Sequence, residues 1–161
     1  MDVQAIQSAF AQHGFMIPEH AVPSDKGYQG ELYSLFECIA EHAPTRQVLF
    51  DGECIEGKSA YLQLLQAFVN ATQGEIELDG LQSNYDAVTE IEVLTFSCQG
   101  KAYRFDCSHE SDWVEQSILN NFTALCKIHG SGAFLQNEDD DMGNFLYLPK
   151  ALVELIDSHY C

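Results

Sequence analysis

The 161-residue chain is short of positive charge: seven Lys and Arg stand against 25 Asp and Glu, a formal net charge of −18. The carboxylates occur along the whole chain, so the excess belongs to the folded body and not to an acidic tail. Such a body repels nucleic acid, nucleotides and anionic lipid at long range and attracts basic proteins. A merely solubilising surface is the other use of the same excess. No apolar run approaches the ~20 residues that cross a bilayer. The N-terminus, MDVQAIQSAFAQHG, has no basic stretch leading into an apolar one, so no secretory signal is expected and the predicted location is cytoplasmic. The six cysteines include no C-x-x-C pair and read as reduced thiols in that compartment. Cys98 and Cys107 read as a pair of core thiols on one hairpin. There is no G-x-S-x-G, no cysteine in an electropositive setting and no distinctive carboxylate pair, so no catalytic residue and no cofactor is assigned.

Core-forming residues are not lacking. Hydrophobic residues make up 46% of the chain and aromatics 11%, which excludes disorder and fits one domain of ordinary size. Val3, Ile6 and Phe10 recur at helical spacing over residues 3–13, and Gly14 suits the helix end. Pro18, Pro23, Gly27 and Gly30 mark a loop. Leu32, Leu35, Phe36 and Ile39 predict a second helix over residues 31–42, stopped by Pro44. Residues 46–50 predict a short strand. Tyr61, Leu64, Leu65 and Phe68 predict a third helix over residues 58–72.

The period then changes to two. Glu75, Glu77 and Asp79 alternate with Ile76 and Leu78, which predicts a strand with an acidic outer edge, and Asp79-Gly80 and Ser83-Asn84 read as turns. Residues 90–98 and 101–107 flank Gln99-Gly100, a two-residue hairpin turn that sets Phe96 opposite Tyr103 and Leu94 opposite Phe105. A fourth helix is expected from Ser111 or Asp112 to His129, with Trp113 and Val114 facing inward. Residues 133–136 and 144–148 predict two more strands, and Pro149 opens a last helix. The expectation is a single α+β domain over residues 1–161: a mainly helical part over 1–74, then a strand-rich, mostly antiparallel part over 75–161 with two helices.

One stretch points to chemistry. Residues 52–59, GECIEGKS, fit the phosphate-loop pattern G-x-x-x-x-G-K-[ST] and stand between an apolar run and a helix. That pattern serves nucleotides when backbone N–H groups and a helix N-terminus face the phosphates above a parallel sheet. Here Asp51, Glu53 and Glu56 crowd the cradle, and the strands downstream alternate as antiparallel strands do. A nucleotide-binding protein using Lys58 and Ser59 is therefore the alternative, not the first reading. Cys107, His109, Cys126 and His129 offer zinc-type ligands, yet His129 at a helix end and Cys126 on a helix are explained without metal. Glu138, Asp139, Asp140 and Asp141 precede Gly143 without the spacing of a calcium loop, so no metal is assigned.

Over residues 88–156 the stretches VTEIEVLTFSCQGKAYRFDC, SDWVEQSILNNFTALCKIHGSGAFLQ and NFLYLPKALVELI resemble the C-terminal part of immunity proteins from bacterial polymorphic-toxin and contact-dependent inhibition systems. The resemblance implies a small, cytosolic, non-enzymatic protein that neutralises a toxin domain, frequently basic, by direct binding. It carries no catalytic residue over. The charge agrees with it, and the expected partner is a basic protein, not nucleic acid or membrane. The acidic edge Glu75, Glu77 and Asp79 and the loop Glu138, Asp139, Asp140 and Asp141 are the expected contacts, with Tyr85, Phe145 or Tyr147 as aromatic anchor. A nucleic-acid mimic and an adaptor domain are further alternatives.

Overall fold

The computed structural model describes residues 2–22, 30–138 and 141–160. Helix α1 (Val3–Gln12) starts where the Asp2 side chain accepts from Gln4 N at 3.3 Å. It ends in a Schellman arrangement. Phe15 N donates to Phe10 O and Gly14 N to Ala11 O, both at 3.0 Å, with Gly14 at φ 84° and the Phe15 ring set edge-on to Phe10. Then follow α2 (Gly30–His42), β1 (Gln47–Asp51), α3 (Ala60–Ala71), β2 (Asp79–Asp86), β3 (Ile91–Cys98), β4 (Lys101–Ser108), α4 (Gln116–His129), β5 (Gly132–Glu138), β6 (Met142–Pro149) and α5 (Lys150–Tyr160).

All strand pairs are antiparallel, and they form two three-stranded sheets, β1-β6-β5 and β2-β3-β4. Strand β6 is the middle strand of the first, and Gly143 through Leu148 are buried on both faces. Alternate side chains therefore feed two cores. Leu146 and Leu148 join Ala133 and Leu135 under α1, α2 and α5. Phe145 and Tyr147 face α3 and α4, and beyond these lies the second sheet with Leu94, Phe96 and Cys98. The layers run helices, sheet, helices, sheet. Phe68 of α3 is the hub of the larger core: its ring lies 5.0 Å from Phe134 and Phe145, 6.0 Å from Phe122 and 6.4 Å from Phe50.

The hairpin register is as expected, Phe96 opposite Tyr103 and Leu94 opposite Phe105, through a turn with Gln99 at φ 49° and Gly100 at φ 80°. Four expectations are corrected. Residues 75–78 are not a strand: Ile76 plugs the core, and β2 begins only at Asp79. Asp79-Gly80 and Ser83-Asn84 lie inside β2, where a bulge between Asp79 and Gln82 uses Gly80 at φ 64°. The inward positions of β2 include Ser83, so its period carries little hydrophobic signal. Helix α4 starts at Gln116, because residues 112–114 pair with the loop after β1: Ile55 N donates to Asp112 O and Val114 N to Gly52 O, both at 2.8 Å. Trp113 is thereby left 42% exposed instead of facing inward. Finally, Pro149 closes β6 and α5 begins one residue later.

Candidate functional site

The GECIEGKS loop leaves a strand that is antiparallel to its neighbour, β6. Beyond the loop, the N-terminal amides of α3 do face an anion, but the anion is the chain's own. The Glu92 carboxylate, fully buried on β3, accepts from Tyr61 N and Leu62 N at 3.0 Å each. It also accepts from Ser83 Oγ at 2.8 Å and pairs with His109 Nε2 at 2.8 Å. The positive end of the α3 dipole and two of its orphan N–H groups are thus satisfied internally, at the place where a phosphate would sit. The rings of Tyr61 and Tyr85 stand edge-on to His109 at 5.3 and 5.1 Å. Tyr61 is wedged so deeply that burial pushes its hydroxyl up to about 12, despite a compensating hydrogen bond from Glu115 N.

Ser83, Glu92 and His109 do not have the order of a hydrolytic triad. The hydroxyl donates to the carboxylate, whereas activation of a serine needs the imidazole between the two. The signal for Glu92 was in the sequence: it shares its strand face with Leu94, Phe96 and Cys98, and a carboxylate on an apolar face needs partners.

The outer side of the loop carries the carboxylates. Asp51, Glu53, Glu56 and Asp112 are close enough that Glu53 is held above its ordinary value, first by the charge of Asp112 and its hydrogen bond, then by desolvation, Asp51 and Glu56. Asp51 Oδ1 accepts from Glu53 N at 2.9 Å. The Trp113 indole lies against Gly52, where an added Cβ would stand 3.0 Å from Trp113 Cζ3 and from the Asp141 carbonyl oxygen. The first glycine of the motif thus serves close packing: its N–H goes to Asp141 O at 2.8 Å. Lys58 is exposed.

The expected contact residues do not form one patch. Glu75 is engaged within the chain, accepting from Ser131 N (2.7 Å), Ser131 Oγ (2.6 Å) and Tyr147 OH (3.3 Å). Burial raises its pKa, but these hydrogen bonds and Arg46 outweigh it, and the net shift is downward. Glu77 and Asp79 are exposed, and Tyr85 is half-buried against His109. Glu138 ends β5 and Asp141 follows the loop, while Asp139 and Asp140 lie outside the described residues. Ser131, to which Glu75 is bonded, and that loop are at opposite ends of β5, roughly 20 Å apart at strand rise. Phe145 and Tyr147 are core residues, 1% exposed each, and cannot anchor a partner.

Glu75 has a testable pH signature. Its folded value lies below its unfolded one, so the bonded carboxylate contributes stability above the unfolded value and loses it as pH falls through the folded one. Glu75→Gln removes that contribution. Thermal melts between about pH 7 and about pH 3 are expected to show the variant less stable at neutral pH and level with the parent at the acid end. A constant gap across the range would contradict this.

The four zinc-type residues are otherwise occupied. His109 pairs with Glu92, and His129 Nε2 meets Tyr103 OH at 2.6 Å. Cys107 and Cys126 are buried, and burial pushes both thiols up to about 12. Among the described residues no group of three or more His, Cys, Asp or Glu converges on a cation position. Cys98 and Cys107 are free thiols, set at opposite ends of the hairpin. No helix is long and apolar enough to cross a membrane, among the described residues. No protein-family model, curated protein or solved structure matches the chain.

Proposed function

We propose that this protein is a non-enzymatic binding protein that captures a cationic protein domain, as immunity proteins capture toxin domains. The observation that carries this reading is the face around Trp113. A half-exposed indole stands beside Asp51, Glu53, Glu56 and Asp112, and Glu53 is held protonation-prone by its neighbours. Carboxylates that repel one another are relieved by an incoming cation, and tryptophan is a favoured anchor residue in interfaces. A triphosphate would be repelled at this loop by carboxylates of its own sign. It would also find the Tyr61 and Leu62 N–H groups already taken by Glu92. The overall charge of −18 supports rapid, salt-sensitive capture.

The test is co-expression with the product of the adjacent upstream gene. The C-terminal domain of that product is expected to arrest growth alone, to be neutralised by this chain and to form a stable complex with it. Replacing Asp51, Glu53 and Asp112 by lysine is expected to slow association by about tenfold or more at low salt. Trp113→Ala is expected to speed dissociation instead. Unchanged rates in both variants would remove this face from the interface. Saturable ATP–magnesium binding that Lys58→Ala abolishes would overturn the reading itself.

A further inference from the structure

The helical layer over the first sheet stops short of the sheet's end. On the face beneath α1, α2 and α5, strand β6 places Leu148 and Leu146 under the helices, then Asn144; strand β5 places Ala133 and Leu135, then Asn137. Leu49 of β1 pairs with Asn144, and Asn144 with Asn137, so these three form one row across the sheet. Between this row and α2 lies a groove of about 730 Å³, within the range of ligand sites.

The floor of the groove holds an unanswered acceptor. Asn137 is only 5% exposed, and its Oδ1 has no hydrogen-bond partner among the described residues. Its neighbour Asn144 differs: its Oδ1 accepts from Gln47 Nε2 at 3.0 Å. Buried polar atoms almost always have partners, so an orphan lining a groove points to a donor that arrives from outside. The walls are apolar, from Phe36, the exposed Leu49 and Met142. The rim is anionic. Tyr33, Glu37 and Glu41 stand four residues apart along α2, on one side of the helix, and all three line the groove. Among the described lining residues none is Lys, Arg or His.

We propose that this groove is a binding site for a guanidinium group, presented as an arginine side chain. An arginine carries a methylene stem for the apolar walls and a planar fork of five donors. One edge of that fork reaches a neutral acceptor at depth while the other meets a carboxylate at the rim. An ammonium is a strongly hydrated point charge and gives up more hydration on entering such walls. A neutral donor would fill Asn137 but leave the charges of Glu37 and Glu41 without a counterpart.

This inference stands on the groove alone and does not require the Trp113 face. The experiment is an NMR titration of the full chain with Nα-acetylarginine amide, following the side-chain amide of Asn137. A saturable shift with a millimolar Kd is expected, with the citrulline and lysine analogues about tenfold or more weaker. The exposed double variant Glu37→Gln/Glu41→Gln keeps the fold and is expected to weaken arginine binding by about tenfold. Asn137→Leu is expected to abolish it. An unmoved Asn137 amide, equal binding of citrulline, or undiminished binding in the double glutamine variant would each overturn the proposal. Loss of partner capture in the Trp113-face variants leaves this titration unchanged, and failure of the titration leaves that test standing, so the two are read separately.

Discussion

Glu92→Ala is expected to lower the melting temperature by roughly 6–20 °C, the equivalent of about 3–5 kcal/mol in a chain of this length. The carboxylate is fully buried and answers four donors: Tyr61 N, Leu62 N, Ser83 Oγ and His109 Nε2. Alanine leaves all four without an acceptor in a space that water does not readily enter, and the cost of orphaned donors exceeds the gain from any one bond. The loss has a location. Amide exchange at Tyr61 and Leu62 should quicken more than elsewhere in α3, because both N–H groups of the first turn lose the carboxylate that accepts from them. Glu92→Gln keeps one good acceptor oxygen but turns an NH₂ toward the remaining donors, so its melting point should fall between parent and alanine variant. Glu77→Ala, at an exposed position, serves as control. A Glu92→Ala protein that melts with the Glu77→Ala protein would show that the α3 N-terminus does not depend on this anion.

The second large effect is expected at Gly132. A Cβ there would stand 2.6 Å from the Leu148 carbonyl oxygen and 2.6 Å from Tyr147 Cζ. Neither can move cheaply. The carbonyl belongs to the middle strand β6, and the Tyr147 ring is buried, its hydroxyl accepting from Gly132 N at 2.9 Å and donating to Glu75. Gly132→Ala therefore either parts β5 from β6 or displaces the tyrosine from both of its bonds. A cost of about 3 kcal/mol, and a melting point lower by roughly 6–12 °C, is the expected result. Gly57→Ala is the matched control. Its Cβ meets nothing within 4 Å, so it should be close to neutral although it alters the phosphate-loop pattern itself. Equal melting points for the two alanine variants would refute the packing argument at Gly132.

Glu92, Trp113 and residues 75–79 mark the boundary between what local sequence encodes and what long-range packing imposes. Glu92 is a charge on an apolar strand face, and nothing local names its partners. The nearest member of its α3 contacts is 30 positions away. Trp113 looked like an inward residue of a capped helix, because Ser111 and Asp112 are good capping residues and Val114 follows. The backbone of residues 112 and 114 is instead taken by the loop after β1, and tertiary pairing overrode the capping signal. The strand expected at residues 75–79 failed for a related reason. Glu75 reaches across to Ser131, and the alternation of charge there marks a connection pinned by Ile76, not a pleated edge.

The sequence by itself determined the five helices, the strands other than β2, the β3–β4 register, the acidity and the antiparallel character of the strands. Each of these is written within a few residues, in hydrophobic period, turn chemistry or net charge, and short-range geometry translates it directly. Only the tertiary structure decided that the strands split into two sheets, that the α3 N-terminus takes Glu92 in place of a foreign anion, and that Leu49, Asn144 and Asn137 share one open row. Those are pairings across long stretches of chain. Their choice rests on which surfaces bury one another best, and no local pattern in the residues involved records it.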